Sequence, residues 1–589
     1  MTTAQPAGAP SRSSIPPGAA VSLRVSLSEP AGPQGRELAR ELGVTATFGA
    51  LMARRGYGAD EATRRFLDPK LAHLSSPQTM AGRAEAIARI VQAMRSRERI
   101  VLFGDYDCDG ITAVAILTEV IRGLGGEATP LLAERFAGGY GVSDQAVDRI
   151  LEAGPGLLVT CDCGSSDHER LQRLADAGVD TVVIDHHLVP EEPLPAVAFL
   201  NPRRPDCPFP FKHLASCGLA LSIAAGLRTA LGGSYDVRTC LDLVAIGTVA
   251  DVMPLEGDNR SLVRAGLRQL ERAERPGLRA LAERANLVLS AGVTAETIAF
   301  DLAPRLNAPG RLASPRLALD LLLERDPAKA RDLAGAIEAA RTERRSIQQR
   351  MLDEAMAEIH DRQLHRDPAI VIGRRGWHAG IVGIVAANVV ERTGKTAAVI
   401  SFDGAVGRGS IRAPKGVPIY DLLQSSREAT VSFGGHQAAA GVELHEHDLD
   451  RFRELFCAAA FEHLKSSGAH ASDGVLQAEV MLEPSDVPWD VVRNLDLLEP
   501  CGMGNPLPRV GVAGARVVRA QSVRGGHLQL QLALDRGHIL YGFAQSMGHR
   551  VAEFPPGARV DAVGVLRRDS YRGGTSVAIR IEAVGPSRS

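Results

Sequence analysis

The sequence predicts an α/β protein of two α/β units joined by one long helix around a central cleft, with a small β-barrel at the C-terminal end. Three observations carry this. Short apolar runs ending in polar clusters alternate with helical patterns over about 100–250, as a parallel α/β sheet requires, and two further strands flank a helix over about 370–400, as a second α/β unit would have them. A helical period then persists for about 35 residues after Asp326-Pro327. From about residue 470, short alternating runs separated by Gly and Pro replace both patterns.

Taken in order, residues 1–35 are rich in Ala, Pro, Gly and Ser, carry no acidic residue before Glu29, and are expected to form a disordered leader. Pro6, Pro10, Pro16 and Pro17 oppose the amphipathic helix of a transit peptide. Residues 36–97 read as a helical preface, with Ala84, Ile87, Ala88, Val91 and Met94 at helical spacing. Residues 98–275 form the first α/β unit, with strands expected at Ile100–Phe103, Leu157–Val159, Thr181–Ile184 and Val244–Ile246. Residues 276–365 are a connector, in which Asp326 caps and Pro327 opens a helix about 50 Å long. Residues 366–468 form the second unit, with strands at Ile370–Ile372 and Ala397–Ile400 around a helix at Ile381–Val390. Residues 469–589 form the barrel, with strands at Leu528–Leu534 and Val577–Ile581.

A chain of 589 residues with 45% hydrophobic and 23% charged residues is multidomain and globular, which excludes fibrous and wholly disordered classes. No apolar run reaches the ~18 residues of a membrane helix and no secretory signal opens the chain, so a cytoplasmic location away from membranes is expected. The eight cysteines show no C-x-x-C spacing for zinc, and Cys161 and Cys163 read as strand packing beside a site. A net charge of −2 gives no global field for a polyanion. Charge is nevertheless segregated: residues 509–589 hold twelve arginines, no lysine and five acidic residues, a net of +7. Tyr541, Phe543, Phe554 and Tyr571 are interleaved with these arginines, as a barrel that stacks bases and tracks phosphates would have them; aromatics serving as barrel core are the other reading.

The chemistry gathers at strand ends. Ile100–Phe103 runs into Gly104-Asp105-Tyr106-Asp107-Cys108-Asp109-Gly110, three carboxylates in one turn that repel unless a cation sits among them. The run resembles a calcium loop but lacks the glutamate that ends the twelve-residue ligand pattern. Asp162 follows Leu157–Val159, Asp185-His186-His187 follows Val182–Ile184, and Asp251 follows Val244–Ile246. Four strand ends thus offer carboxylate or imidazole, where parallel sheets place their ligands. Mostly oxygen donors with one or two imidazoles suit Mn²⁺ or Mg²⁺ better than zinc. Arg305, Asn307 and Arg311 offer planar donors matched to phosphate oxygens. In the second unit, Gly434-Gly435-His436 and Gly407-Arg408-Gly409-Ser410 allow close approach of a phosphate, and with His378 they read as the opposite wall of the cleft.

These motifs resemble the DHH-family phosphoesterases, whose signature triplet stands here as Asp185-His186-His187, and within that family its bacterial single-strand-specific exonucleases. The resemblance covers nearly the whole chain after the leader. It includes Gly104-Asp105-Tyr106-Asp107, Asp162-Cys163-Gly164, Phe211 to Gly218, Ala250 to Leu255 and Ala303 to Leu312. Gly376 to Ala386 and Phe433 to Gly441 resemble the DHHA1 domain, and Leu498 to Pro506 resembles the approach to the family's OB-fold. The resemblance implies a DHH domain, a DHHA1 domain and an OB-fold that binds nucleic acid. It implies two Mn²⁺ or Mg²⁺ ions held by Asp107, Asp109, Asp162, His186 and Asp251, with Asp105 close behind and His187 facing the phosphate or completing the metal site. Asp162 is the sensible bridge between the ions. Arg305, Asn307 and Arg311 would lie against the nucleic-acid backbone, with Arg305 the firmer contact because Pro309 stands where Ala is common.

The implied activity is hydrolysis of single-stranded DNA from 5′ to 3′ into 5′-mononucleotides, in DNA repair and recombination, by a monomer that works beside a single-strand-binding protein. The alternative is a DHH-family phosphodiesterase for short oligonucleotides or cyclic dinucleotides, which the basic C-terminal segment opposes. A scaffold that keeps the fold without its metal site is opposed by the presence of all five ligands.

Overall fold

A computed structural model of the chain describes residues 24–436, 439–467, 475–569, 572, 574 and 576–587. Residues 1–23 of the expected leader lie outside the described residues. Its remainder is ordered, contrary to expectation: β1 (Arg24–Ser26) precedes a helix at Pro33–Leu42. The helical preface is divided between two cores. Phe48, Leu51 and Met52 of helix Ala46–Arg54 pack into the C-terminal barrel, whereas Ala86, Ile90 and Val91 of helix Arg83–Ser96 pack into the first α/β unit.

The first sheet holds β2 (Ile100–Gly104), β3 (Ala128–Leu132), β4 (Leu157–Cys161), β5 (Asp180–Ile184) and β6 (Ala198–Leu200), all parallel, in the order β3-β2-β4-β5-β6. β2 and β4 are buried throughout, which is why they read as unbroken apolar runs. Helices Cys108–Gly123, Ser216–Leu231 and Leu241–Ala250 share a core with Leu102, Val159 and Ile184 of the sheet. The opposite face, with Val101 and Phe103, meets Val147 and Leu171 of helices Asp144–Glu152 and His168–Asp176. Gly104 pairs with Cys161 and Cys161 with Ile184. Asp105, Asp162 and Asp185, each the first residue past its strand, are therefore level at three adjacent strand ends.

One expected strand is a helix. Val244–Ile246 lies within helix Leu241–Ala250, whose residues from Leu241 to Val249 are all buried. A helix apolar on every side shows no amphipathic period, so its short apolar run reads as a strand. Asp251 accordingly ends a helix.

The connector contains the 35-residue helix Pro327–Asp361, and Asp326 accepts the N–H groups of Ala328 and Lys329 at 2.8 Å as expected of its cap. Ala330, Ala334 and Ile337 belong to the core of the first unit, while Met351, Ala355 and Ile359 belong to that of the second. One rigid helix thus spans both units.

The second sheet holds β7 (Ile370–Arg375), β8 (Ala397–Phe402), β9 (Val406–Arg412), β10 (Ser432–His436) and β11 (Ala439–His445), in the order β10-β11-β9-β8-β7. β7 and β8 are parallel around helix Val382–Thr393, and the other pairs are antiparallel. β12 (Val475–Gln477) pairs with β1, and β13 (Val480–Met481) leads into the barrel. There β14 (Val510–Val523), β15 (His527–Ala533), β16 (Ile539–Ala544), β17 (Arg559–Arg568) and β18 (Val577–Pro586) form a ring β14-β15-β16-β18-β17, closed by pairing of β14 with β17. Among the described residues no helix is long and apolar enough to cross a membrane.

Candidate metal centre and nucleic-acid cleft

Helix starts and strand ends fix the candidate ligands. Asp107 caps helix Cys108–Gly123, its Oδ1 accepting the N–H groups of Asp109 (3.0 Å) and Gly110 (3.4 Å). Asp109 is fully buried, and its carboxylate accepts the N–H groups of Ser216 (2.7 Å) and Cys217 (2.9 Å) at the start of helix Ser216–Leu231, where the helix dipole favours an anion. Asp162 has φ 64°, a left-handed conformation that Asp tolerates better than most residues, and Ser216 Oγ–H donates to its Oδ1 at 3.2 Å. Asp185 accepts the N–H groups of His186 (2.8 Å) and His187 (3.2 Å) and meets His187 Nδ1 at 2.7 Å, so the first residue of the triplet orients the other two.

The side chains converge. His186 Nε2 lies 3.2 Å from Asp162 Oδ1, 3.4 Å from Asp251 Oδ2 and 3.8 Å from Asp109 Oδ2. Three sets have ligand atoms within 4.8 Å of one another: Asp109, His186 and Asp251; Asp162, His186 and His187; Asp105, Asp107 and Asp162. Asp162 belongs to two of them and joins the acidic turn to the imidazoles.

Burial, and then the charges of neighbouring carboxylates, hold Asp105 and Asp162 well above the usual carboxylate range and push Asp251 up to about 8. Burial lowers His186, which keeps its imidazole neutral and able to coordinate. At His187, burial is outweighed by the hydrogen bond and charge of Asp185, which raise it to about 9. Both ring nitrogens of His186 and Oδ2 of Asp251 are buried without a hydrogen-bond partner. Orphaned donors beside mutually repelling carboxylates fit a divalent cation, and a mainly oxygen donor set fits Mn²⁺ or Mg²⁺.

Comparison with known proteins gives the same reading. Residues 99–248 match the N-terminal domain of the DHH family, 367–460 the DHHA1 domain and 478–583 the RecJ OB domain. The single-stranded-DNA-specific exonuclease RecJ of Bacillus subtilis (strain 168) is 33% identical over 554 residues, covering 92% of this chain and 68% of its own length. RecJ of Escherichia coli (strain K12), of the same description, is 33% identical over 538 residues, covering 86% of this chain and 91% of its own. The chain belongs to the RecJ family. A crystal structure of RecJ in complex with Mn²⁺ from Thermus thermophilus superposes with a TM-score of 0.80 at 29% identity, covering 96% of this chain and 80% of that one.

The cluster opens into a cleft between the two α/β units, a cavity of about 760 Å³ lined by Asp105, Asp107, Asp162, His187 and Asp251 on one side and by β9, β10 and β11 on the other. Its cations are crowded. Burial, followed by the charges of Arg135 and Arg344, pushes Arg311 down to about 10, and burial with Arg135 lowers Arg412. Nε of Arg135 and Oδ1 of Asn307 are buried without partners. A phosphate would relieve this repulsion and give Arg135 Nε the acceptor it lacks, whereas Asn307 Oδ1 calls for a donor.

Arg305 does not face this cleft. It is 5% exposed, and its Nε donates to Glu338 at 2.7 Å, tying the short helix Ala303–Leu306 to the long one. Arg311, the contact expected to be weaker, is the one that lines the cleft, with Asn307. Arg408 and Ser410 line the opposite wall, where Arg408 pairs with Glu443 at 3.1 Å. His378 stands beside the cleft, its ring edge-on to Phe136 with centroids 5.5 Å apart, while the adjacent Gly380 lines it. A Cβ on Gly380 would come within 2.1 Å of the Arg311 carbonyl oxygen, so glycine permits the second unit to meet the connector there. The side chain of His436 lies outside the described residues.

In the barrel, Phe554 is fully buried core and presents no face to a base. Tyr541 lies on the barrel with the Arg572 guanidinium 3.8 Å from its ring centre, and Tyr571 lies outside the described residues. Sequence reasoning missed Arg135, Tyr140 and Arg412. Arg412 had a readable signal, since Arg408, Ser410 and Arg412 alternate along β9 and share one face.

Proposed function

We propose that this chain is a metal-dependent exonuclease specific for single-stranded DNA, which hydrolyses phosphodiester bonds from 5′ to 3′ and releases 5′-mononucleotides in DNA repair and recombination. The observation that carries the reading is a cluster of carboxylates and imidazoles with unpartnered buried atoms, opening into a cationic cleft. Asp107, Asp109, Asp162, His186 and Asp251, with Asp105 behind them, hold Mn²⁺ or Mg²⁺. Bound there, the ions would supply an activated water and charge to offset that of the leaving oxygen. Asp185 accepts from His187 Nδ1–H and so fixes the orientation of the ring beside the cluster. Arg311, Asn307, Arg412 and Ser410 hold the phosphate, and the arginines of the barrel hold the downstream strand. Catalysis is assigned to 98–275, the opposite wall to 366–468 and strand holding to 469–589, in a cytoplasmic monomer that meets its substrate beside a single-strand-binding protein.

The test is product analysis on a long single strand labelled at either end, with Mn²⁺, Mg²⁺ or EDTA, beside a blunt duplex of the same sequence. Metal-dependent mononucleotide release from the 5′ end of the single strand alone is expected. Intact DNA alongside hydrolysis of dinucleotides would replace the reading with a small-substrate phosphodiesterase.

A further inference from the structure

The loop that leaves β3 crosses the metal centre, and its aromatic residue has no part in the chemistry assigned above. Gly138, Gly139 and Gly141 adopt φ of 99°, 85° and 76° around Tyr140, a backbone only glycine takes readily. The loop is tied down beyond them, where Val142 N–H donates to Asp167 Oδ2 at 2.9 Å. Tyr140 is 50% exposed and lines the cleft, yet its hydroxyl reaches Asp162 and His187. That oxygen lies 3.3 Å from the backbone carbonyl of Asp162 and 3.0 Å from Nδ1 of His187, with the two rings edge to face at 5.4 Å.

The donor roles follow from the atoms. A carbonyl only accepts, so the Tyr140 O–H donates to Asp162, and the same oxygen accepts from His187 Nδ1–H, which also meets Asp185 Oδ1 at 2.7 Å. Asp162 is the centre's one left-handed ligand, and such a backbone persists only where its surroundings hold it. We propose that Tyr140 is a positioning residue of the metal centre, whose hydroxyl pins the Asp162 peptide and, through the same oxygen, fixes the His187 ring. This deepens the exonuclease reading and rests on it.

Tyr140→Phe tests it, because the ring stays and only the hydroxyl is lost. Three quantities are measured beside wild type: kcat and KM on a short 5′-labelled single strand, Mn²⁺ affinity from the EPR signal of free Mn²⁺, and Tm. A kcat about tenfold lower at unchanged KM and Tm, with Mn²⁺ bound about tenfold more weakly, is expected of a hydrogen bond that orients a ligand. A kcat and Mn²⁺ affinity both within about twofold of wild type would overturn it, as would losses matched by a fall in Tm. If wild type itself leaves DNA intact, the exonuclease reading fails, while the Mn²⁺ comparison still decides the role of Tyr140.

Discussion

Oδ1 of Asp162 lies 3.2 Å from Nε2 of His186, and that contact joins the end of β4 to the histidines after β5, while the same carboxylate also groups with Asp105 and Asp107 of the turn after β2. Asp162 is the carboxylate common to the sets on either side of the contact, so its charge serves both. Asp162→Asn keeps the shape and tolerates the left-handed backbone, but removes that charge. Turnover is expected to fall at least about a hundredfold, beyond the range for residues that merely support ligands. Binding of a labelled single strand, read by fluorescence anisotropy in EDTA, should stay near wild type because the cleft arginines remain. Parallel loss of binding and turnover would contradict this separation of roles.

The same crowding makes the folded state metal-dependent. Asp105, Asp162 and Asp251 are held protonated more tightly than free carboxylates by burial and by one another, and a divalent cation reverses that cost. Mn²⁺ at about a hundred times its dissociation constant should stabilise the chain by about 2.7 kcal/mol. Differential scanning fluorimetry should show Tm rising with Mn²⁺ in wild type and hardly at all in Asp162→Asn. An equal rise in both would remove Asp162 from the ligand set.

Two arginines six residues apart should behave oppositely. Arg311→Gln removes a cation from the cleft, so single-strand binding should weaken and its log–log salt dependence should flatten by about 0.7, the slope of one phosphate that is no longer neutralised. Arg305→Gln breaks the buried pair with Glu338 and should cost about 2 kcal/mol of stability, discounted for Glu338's partial exposure, with little change in salt slope. Urea unfolding and binding at several salt concentrations separate the two effects.

That pair also marks the limit of what the sequence conveys. Strands β2, β4 and β5 of the first sheet, β7 and β8 of the second, the long helix with its Asp326 cap, and the acidic ends of β2, β4 and β5 were legible because each is local: a run, a period or a cluster of like charges. Asp105, Asp162 and Asp185 become neighbours through parallel pairing alone, which a strand-end rule anticipates. Arg305 and Arg311 sit in one short motif with the same chemistry, and only the position of Glu338, thirty-three residues on, turns one inward. Val244–Ile246 failed for the opposite reason, since full burial erases the polar face that would reveal a helix. Tyr140 was hidden because its partners, Asp162 and His187, come from different strand ends.

Arg260 offers a test of how the barrel is coupled to catalysis. It is 2% exposed and, among the described residues, no carboxylate pairs with its guanidinium; Nε donates to the carbonyl of Phe66 (2.7 Å), Nη1 to those of Leu498 (2.8 Å) and Pro500 (3.2 Å), and Nη2 to that of Leu497 (3.0 Å). The Phe66 ring lies under it at 3.9 Å. Helix Gly257–Glu271 of the first unit thereby grips the segment that leads into the barrel, a few residues beyond Asp251. In Arg260→Met, Asn505 still serves Leu498 and Pro500, at 2.7 and 2.9 Å, but the carbonyls of Phe66 and Leu497 lose this donor, at about 1–3 kcal/mol each. The metal ligands are untouched. Hydrolysis of a strand too short to reach the barrel should therefore keep its kcat and KM, whereas KM on a long strand should rise several-fold as the barrel loses its fixed orientation. Equal KM values on the long strand for variant and wild type, in protein that still melts cooperatively, would show that barrel orientation does not govern substrate capture.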